Sequence, residues 1–414
     1  MNHKRMARGG FDRATPHRQR GISLVLMAVS LVVLFGFGAM ALDGANLYVA
    51  RNELQNAADA GALAGARELY VADGSMVNEG ANQIARETAQ ANNSQGTQVE
   101  VASVRRGHWS FIEQQFTPNP SLEPVDLFDA TTEELDLNTN FINAIEVVTE
   151  RRQTPVQAFF GFVLGFTDYT VASRAVAYIG FAGKLNPEDI DQPLAMCSDA
   201  VMDGGTFSCS VGRMIDANAE TGGWTNLQHD SDGAASAAEI RELMCGDGNP
   251  DELFFGEDLT TTKGQVHGPA FNAMYDCWVE ETEQERLWSM TLPVVDCSDG
   301  IQPSSPLIGA VNLNIVWMVD KDNNIDADAP RRMERPAESS DGPPPPDWTS
   351  DDPDGQFRWD DFVSDFMLEQ PDGSPADYRQ KSIYYLPSCE AHEPKGQTGG
   401  ENFGVLAQIP VLVD

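Results

Sequence analysis

The stretch "GISLVLMAVSLVVLFGFGAMAL", Gly21 to Leu42, contains no charged residue. Crossing ~30 Å of hydrocarbon takes about 20 apolar residues at ~1.5 Å rise each, so this run is long enough to span a bilayer. A helix apolar on every side has no polar face to offer water and asks for lipid around it. Arg18 and Arg20 stand just before the run, and Asp43 follows it. The positive-inside rule therefore puts residues 1–20 in the cytoplasm and everything after Asp43 outside. The run is longer than the apolar core of an ordinary secretory signal, and the Ala-rich stretch behind it stays helical in pattern. It reads as an uncleaved signal-anchor rather than a removed leader.

Charge divides at the same place. Residues 1–20 hold six basic residues and one acid, which leaves 21 basic against 62 acidic residues in the rest of the chain. So acidic a body repels phosphate, and nucleic acid is excluded as a partner. All six cysteines (Cys197, Cys209, Cys245, Cys277, Cys297 and Cys389) lie beyond the anchor. An even number in an oxidising compartment predicts three disulfides. Of the fifteen pairings, Cys197 with Cys209 is the closest in sequence. Zinc ranks behind this reading, because no C-x-x-C occurs and His108, His229, His267 and His392 are scattered.

From Asp43 the helical pattern continues, and no proline interrupts residues 21 to 70. The simplest arrangement is one rod of ~70 Å, with Gly36, Gly38 and Gly44 as points where it bends. Within it, "ELQNAADAGALAGA" (53–66) is eight parts in fourteen Ala or Gly. Ala57, Ala58, Gly61, Ala62 and Gly65 form a stripe of small residues that lets a second backbone approach closely. The occupant is either this chain's own following structure or another helix, including that of a second copy in a homo-oligomer.

Beyond the rod, "MVNEGANQIARETAQAN" reads as a second amphipathic helix and "TQVEVASVRRGHWSF" as a strand. "FINAIEVVTERRQ" (141–153) and "YTVASRAVAYIG" (169–180) are further strands. Between them "TPVQAFFGFVLGF" (154–166), with Thr154 as N-cap and Pro155 at the first helical position, predicts a buried helix. From Gly180 the character changes to cysteines, Trp, Asp and frequent turns. Residues 289–296, 307–320 and 403–413 are the strongest strands there, and 239–244 a helix. Residues 335–355, rich in Pro and acid, suit an extended or disordered insertion. The expected class is α+β. A long N-terminal transmembrane and juxtamembrane helix (21–42, then 43–72) leads to a small α/β unit (73–180) and a disulfide-braced, mostly-β C-terminal domain (181–414).

Gly21, Asp43, Tyr48, Arg51, Leu54, Gln55, Ala57, Ala58, Asp59, Ala60, Leu63, Ala64 and Ala66 stand in a recurring pattern. Through them residues 18–70 closely resemble the TadE/TadG-like segment of the Flp, or tight-adherence, pilus-assembly family. Residues 145–177 are similar to the strand–helix–strand that commonly follows. The resemblance implies a non-catalytic, membrane-anchored component of a pilus or secretion apparatus in the bacterial inner membrane. Its N-terminus is cytoplasmic, its outer part periplasmic, and its partners are the bilayer and other Tad/Flp proteins. Smaller relatives are cleaved like pilins, which carry Glu at the fifth position after the cleaved Gly; here Leu26 holds that position after Gly21. Larger members often have a von Willebrand-type domain with a D-x-S-x-S metal motif, which this sequence lacks.

One stretch invites metal chemistry. "DKDNNIDADA" (320–329) sets oxygen side chains at Asp320, Asp322, Asn324, Asp326 and Asp328, as a Ca²⁺ loop does. Against it, Ile325 stands where an EF-type loop needs Gly, Arg331 stands where it needs Glu, and a solvated acidic turn is the competing reading. A surface or secreted Ca²⁺-binding adhesin is thus the second functional reading, and a degenerate periplasmic hydrolase the third. No G-x-S-x-G, H-E-x-x-H, P-loop or G-x-G-x-x-G occurs. Trp224, Trp278, Trp288 and Trp317 are expected in the core, with a glycan- or partner-binding face as the alternative.

Overall fold

The computed structural model describes residues 20–128, 130–203, 206–207, 213–215, 221–229, 235–262, 268–298, 300–320, 324–336, 345–370 and 372–414. Helix α1 spans Arg20–Arg67, 48 residues, and runs unbroken through Gly36, Gly38 and Gly44. At ~1.5 Å per residue it is ~72 Å long. Its apolar start is bare: Leu24, Val32, Phe35 and Phe37 are each at least 70% exposed. From Asp43 onward one side of the same helix is buried, through Ala50, Leu54, Ala57, Ala58, Ala62 and Ala66. The point where the sequence turns from large apolar to small and polar is the point where the helix acquires protein neighbours.

Those neighbours are helix α2 (Ala81–Gln90) and an antiparallel sheet. The sheet is built from β1 (Glu100–Ser110), β2 (Gln115–Pro118), β3 (Ala144–Gln157) and β4 (Asp168–Tyr178). Its order is β2-β1-β3-β4, with Val411–Leu412 as a fifth strand beside β4. Alternation directs Ile145 and Val147 of β3 and Ala175 and Ala177 of β4 onto the helices, where they meet Ala58, Ala62, Ala81 and Ala85. Thr149 on the same face donates its hydroxyl to the Leu54 carbonyl at 2.9 Å.

The helix expected over 154–166 does not form. Residues 154–157 extend β3, and Gly161–Leu164 make only a 3₁₀ turn at the tip of the β3–β4 hairpin. The register shifts between Arg151 and Val156. Pro155 sits in that irregular stretch, where a missing N–H costs no ladder bond. Glu100 holds the irregularity. Its carboxylate accepts from the Arg152, Gln153 and Thr154 amides (3.2, 2.8 and 2.7 Å) and from the Thr154 hydroxyl (2.6 Å). Burial opposes ionisation of Glu100, but these donors outweigh it and hold its pKa below the usual 4.5. Thr154 and Pro155 are therefore strand residues, because a carboxylate from a neighbouring strand supplies what a helical turn would have.

After Tyr178 the chain enters a second region. Phe181–Leu185 pairs with Leu253–Phe254 on one side and Gln397–Gly400 on the other. Beyond it lie β5 (Leu194–Cys197), β6 (Gly222–His229), helix α3 (Ala237–Leu243), β7 (Asp258–Thr262), helix α4 (Gly268–Thr282), β8 (Trp288–Val295), β9 (Ser304–Val319), helix α5 (Gly355–Asp365) and β10 (Ser382–Pro387). The pairings β9-β7-β6-β5-β8-β9 close a ring, and β10 continues from β9. Trp224, Trp278 and Trp317 are buried in this core, and Trp278 meets Trp317 edge to face. The strands expected at 289–296 and 307–320 are β8 and β9, and the helix at 239–244 is α3, opened by a Ser236–Glu239 capping box.

Residues 403–413 depart from the expectation of a strand: only Val411–Leu412 is one. Gly404 at φ +84° breaks the extended run, and Phe403, Val405 and Leu406 are buried individually instead. The Pro- and acid-rich stretch is not uniformly extended. Its residues 337–344 lie outside the described set, but Trp348–Thr349 pairs with Arg332–Met333, Trp348 is buried, and α5 begins at Gly355.

The class is α+β: a long N-terminal apolar helix, then mixed, strand-rich regions carrying two described disulfides. Cys197 bonds Cys297 rather than Cys209. Sequence proximity misleads here because β5 and β8 run parallel with Cys197 opposite Val295, which brings Cys297 alongside at a Cα separation of 5.4 Å. Cys245 bonds Cys277, tying the end of α3 to α4. No cysteine is free among the described residues, and Cys209 lies outside them.

Candidate functional site: the anchor helix and its packing face

The small-residue stripe is filled by the chain's own second helix. A Cβ placed on Gly61 would stand 2.8 Å from the Ala85 carbonyl oxygen and 2.9 Å from the Ala89 methyl. One on Gly65 would stand 2.6 Å from the Ala85 methyl and 3.2 Å from Ile145. Ala81, Ala85 and Ala89 of α2 are fully buried in return, as are Ala57, Ala58 and Ala62 of α1. Alanine against glycine brings the two backbones as close as helices come. Of the two occupants the sequence left open, this one is intramolecular, so these residues hold the fold and offer no face to a second copy.

Polar contacts finish the seam. Gln55 donates to Asp59 (2.8 Å) and to the Arg174 carbonyl (3.0 Å), and Ser173 donates to the Arg51 carbonyl (3.2 Å). Arg151, buried, donates to the Ser94 carbonyl at 2.7 Å. The Arg51 carbonyl and the Gln55 and Asp59 side chains thus form the polar margin of a helix–sheet contact.

At the end nearest the apolar run, Asp43 is buried at 6% exposure. One carboxylate oxygen accepts from the Phe159 and Phe160 amides (2.8 and 3.2 Å), and the other from Gly161 (2.6 Å). One helix turn further on, Asn46 reaches the Gln157 carbonyl at 3.5 Å. Asp43 therefore clamps the β3–β4 tip to α1 where the uncharged run ends. Its position straight after that run was visible in the sequence; its partners, 116 to 118 residues away, were not.

The described candidate calcium residues have separate partners. Asp320 pairs with Lys381 at 3.1 Å. Asn324 is the N-cap residue of the short helix Ile325–Asp328. Asp326 accepts from the Gly355 amide at 3.0 Å, and its carbonyl from Arg358 at 2.7 Å. Asp328 stands in that helix, and Asp322 lies outside the described residues. Among the described residues no group of three or more His, Cys, Asp or Glu is placed to hold a metal. A cleft of about 1210 Å³ is lined by Tyr70, Phe128, Arg335, Asp365 and His392. Arg335 is paired with Asp365 there at 2.8 Å, and burial holds the His392 pKa below its usual 6.5.

The arrangement defines a class: one long helix, bare and apolar at its start, that continues as the packed first element of an α/β layer. Residues 21–68 match the model of the Tad family, Flp pilus-assembly TadE/G-like, and residues 64–177 match that of the Tad-like Flp pilus-assembly family. Together the two matches cover residues 21–177, and over that span the chain is similar to these pilus-assembly families. The matches end at the last strand before the second region. No curated protein and no solved structure matches the chain significantly.

Proposed function

We propose that this protein is a single-pass component of Flp pilus assembly in a bacterial inner membrane, acting without catalysis. Residues 1–20 are cytoplasmic, 21–42 cross the bilayer, and the remainder is periplasmic, where oxidising conditions keep the disulfides formed. The observation that carries this reading is the continuity of α1. The same helix is exposed and apolar through Leu42 and packed into the family-matched layer from Asp43. With no flexible joint between anchor and layer, the layer stands at a set height and rotation above the membrane. It then presents the second region to other apparatus proteins by docking. Because the small stripe is already filled, lateral association, including any homo-oligomer, uses other faces of α1.

The test is topological. A reporter that works only after export, fused after residue 180, is expected to be active, and alkaline carbonate is expected to leave the full-length protein with the membranes. A reporter active only in the cytosol, or extraction of the intact chain by carbonate, overturns the reading.

A further inference from the structure

The β3–β4 tip has a feature that the packing of α1 does not explain. Phe159, Phe160, Phe162 and Phe166 are 62, 41, 63 and 56% exposed. They lie on one ten-residue turn, 158–167, that carries no charged residue. A soluble surface rarely gathers so much aromatic area without a partner. The turn is not a loose loop. Three of its amides are held by Asp43, and a side chain on Gly161 would collide with the Tyr169 hydroxyl and close on Asp43 at 3.2 Å. The Phe166 and Tyr169 rings stack at 6.2 Å. The aromatic surface is therefore presented in a fixed place, and that place is set along α1. Gln157 lies level with Asn46, and residues 159–161 lie level with Asp43, so the turn advances toward the apolar run. It ends beside the boundary that Leu42 and Asp43 mark.

We propose that this turn is a second membrane contact: its phenylalanines sit in the interfacial layer of the same bilayer that α1 crosses. The inference rests on the membrane reading above. Aromatic rings are favoured at the level of the lipid headgroups, where apolar area is covered and the backbone still finds polar partners. The turn is clamped to Asp43, the residue that directly follows the exposed apolar run ending at Leu42, which is why lipid rather than another protein is its occupant. Asp43 makes this arrangement tolerable. A carboxylate at the edge of hydrocarbon is costly unless paired, and three amides from the turn satisfy it. Two contacts, helix and turn, fix the tilt and rotation of the anchor where one helix alone leaves them free.

Photo-cross-linking separates the outcomes. Full-length protein carrying Phe162→p-benzoyl-phenylalanine or Phe166→p-benzoyl-phenylalanine, in nanodiscs of phosphatidylethanolamine and phosphatidylglycerol, is irradiated and its intact mass measured. The comparison site is Ile112, 59% exposed in the turn after β1, at the opposite end of the sheet. Lipid adducts are expected at 162 and 166 and none at 112. A cross-linked dimer at 162, or a site-162 product like that at 112, overturns the proposal. Incorporation into nanodiscs is scored separately, so loss of the lipid adduct with incorporation intact refutes the turn and not the anchor. If a benzophenone at 162 prevents folding, the site-166 protein carries the test.

Discussion

A methyl group on Gly65 would stand 2.6 Å from the Ala85 methyl, so any larger side chain must push α2 off α1. Overpacking of this kind costs about 1–3 kcal/mol, and more where the contact is backbone on backbone. Gly65→Leu is therefore expected to lower the thermal midpoint of the detergent-solubilised protein by several degrees. Gly38→Leu, at a position with nothing within 4 Å, should leave it unchanged. Equal midpoints for the two variants would show that the stripe does not set the α1–α2 distance. The requirement for small residues here was plain from composition alone. What they make room for was not, because the amphipathic pattern of α2 does not say that its Ala81, Ala85 and Ala89 face meets this stripe.

Local signals at the level of elements point both ways. Ser236 and Glu239 open α3 as their spacing says, whereas Thr154 and Pro155 spell a helix start and sit in a strand. The difference is the competitor. At α3 the Ser236 hydroxyl takes the Glu239 amide and the Glu239 carboxylate takes the Ser236 amide, while Glu100, from the next strand, takes the amides of residues 152–154. The disulfides also act between elements. Cys197–Cys297 closes 100 residues and Cys245–Cys277 closes 32. Loop-closure entropy alone assigns about 4.7 kcal/mol to the first and about 3.7 kcal/mol to the second. Serine pairs at 197 and 297 are thus expected to destabilise the second region more than pairs at 245 and 277, as read from denaturant midpoints. The reverse order would mean that the packing of α3 on α4, not chain entropy, dominates.

The whole molecule is tied together by its last residues. Val411–Leu412 pairs with Ala177 and Tyr178, the Val176 amide donates to the Asp414 carbonyl at 2.7 Å, and Arg174 pairs with the Asp414 side chain. Arg174 also reaches the buried Glu146 at 2.7 Å. The chain thus leaves the first sheet after β4, builds the ring of β5 to β9, and returns to the same edge. Removing residues 411–414 is expected to speed hydrogen exchange at Val176 while the ring keeps its protection. Unchanged exchange at Val176 would show that the returning strand contributes no stability. The sequence by itself determined the uncharged apolar run, the rod, the small stripe and the α+β class, because each follows from length, period or residue size along one stretch of chain. Only the tertiary structure decided which surface fills the stripe, which cysteine meets Cys197, what Asp43 holds, and where the chain's end lies. Each of those is a contact between residues far apart in sequence, and no local pattern encodes a distant partner.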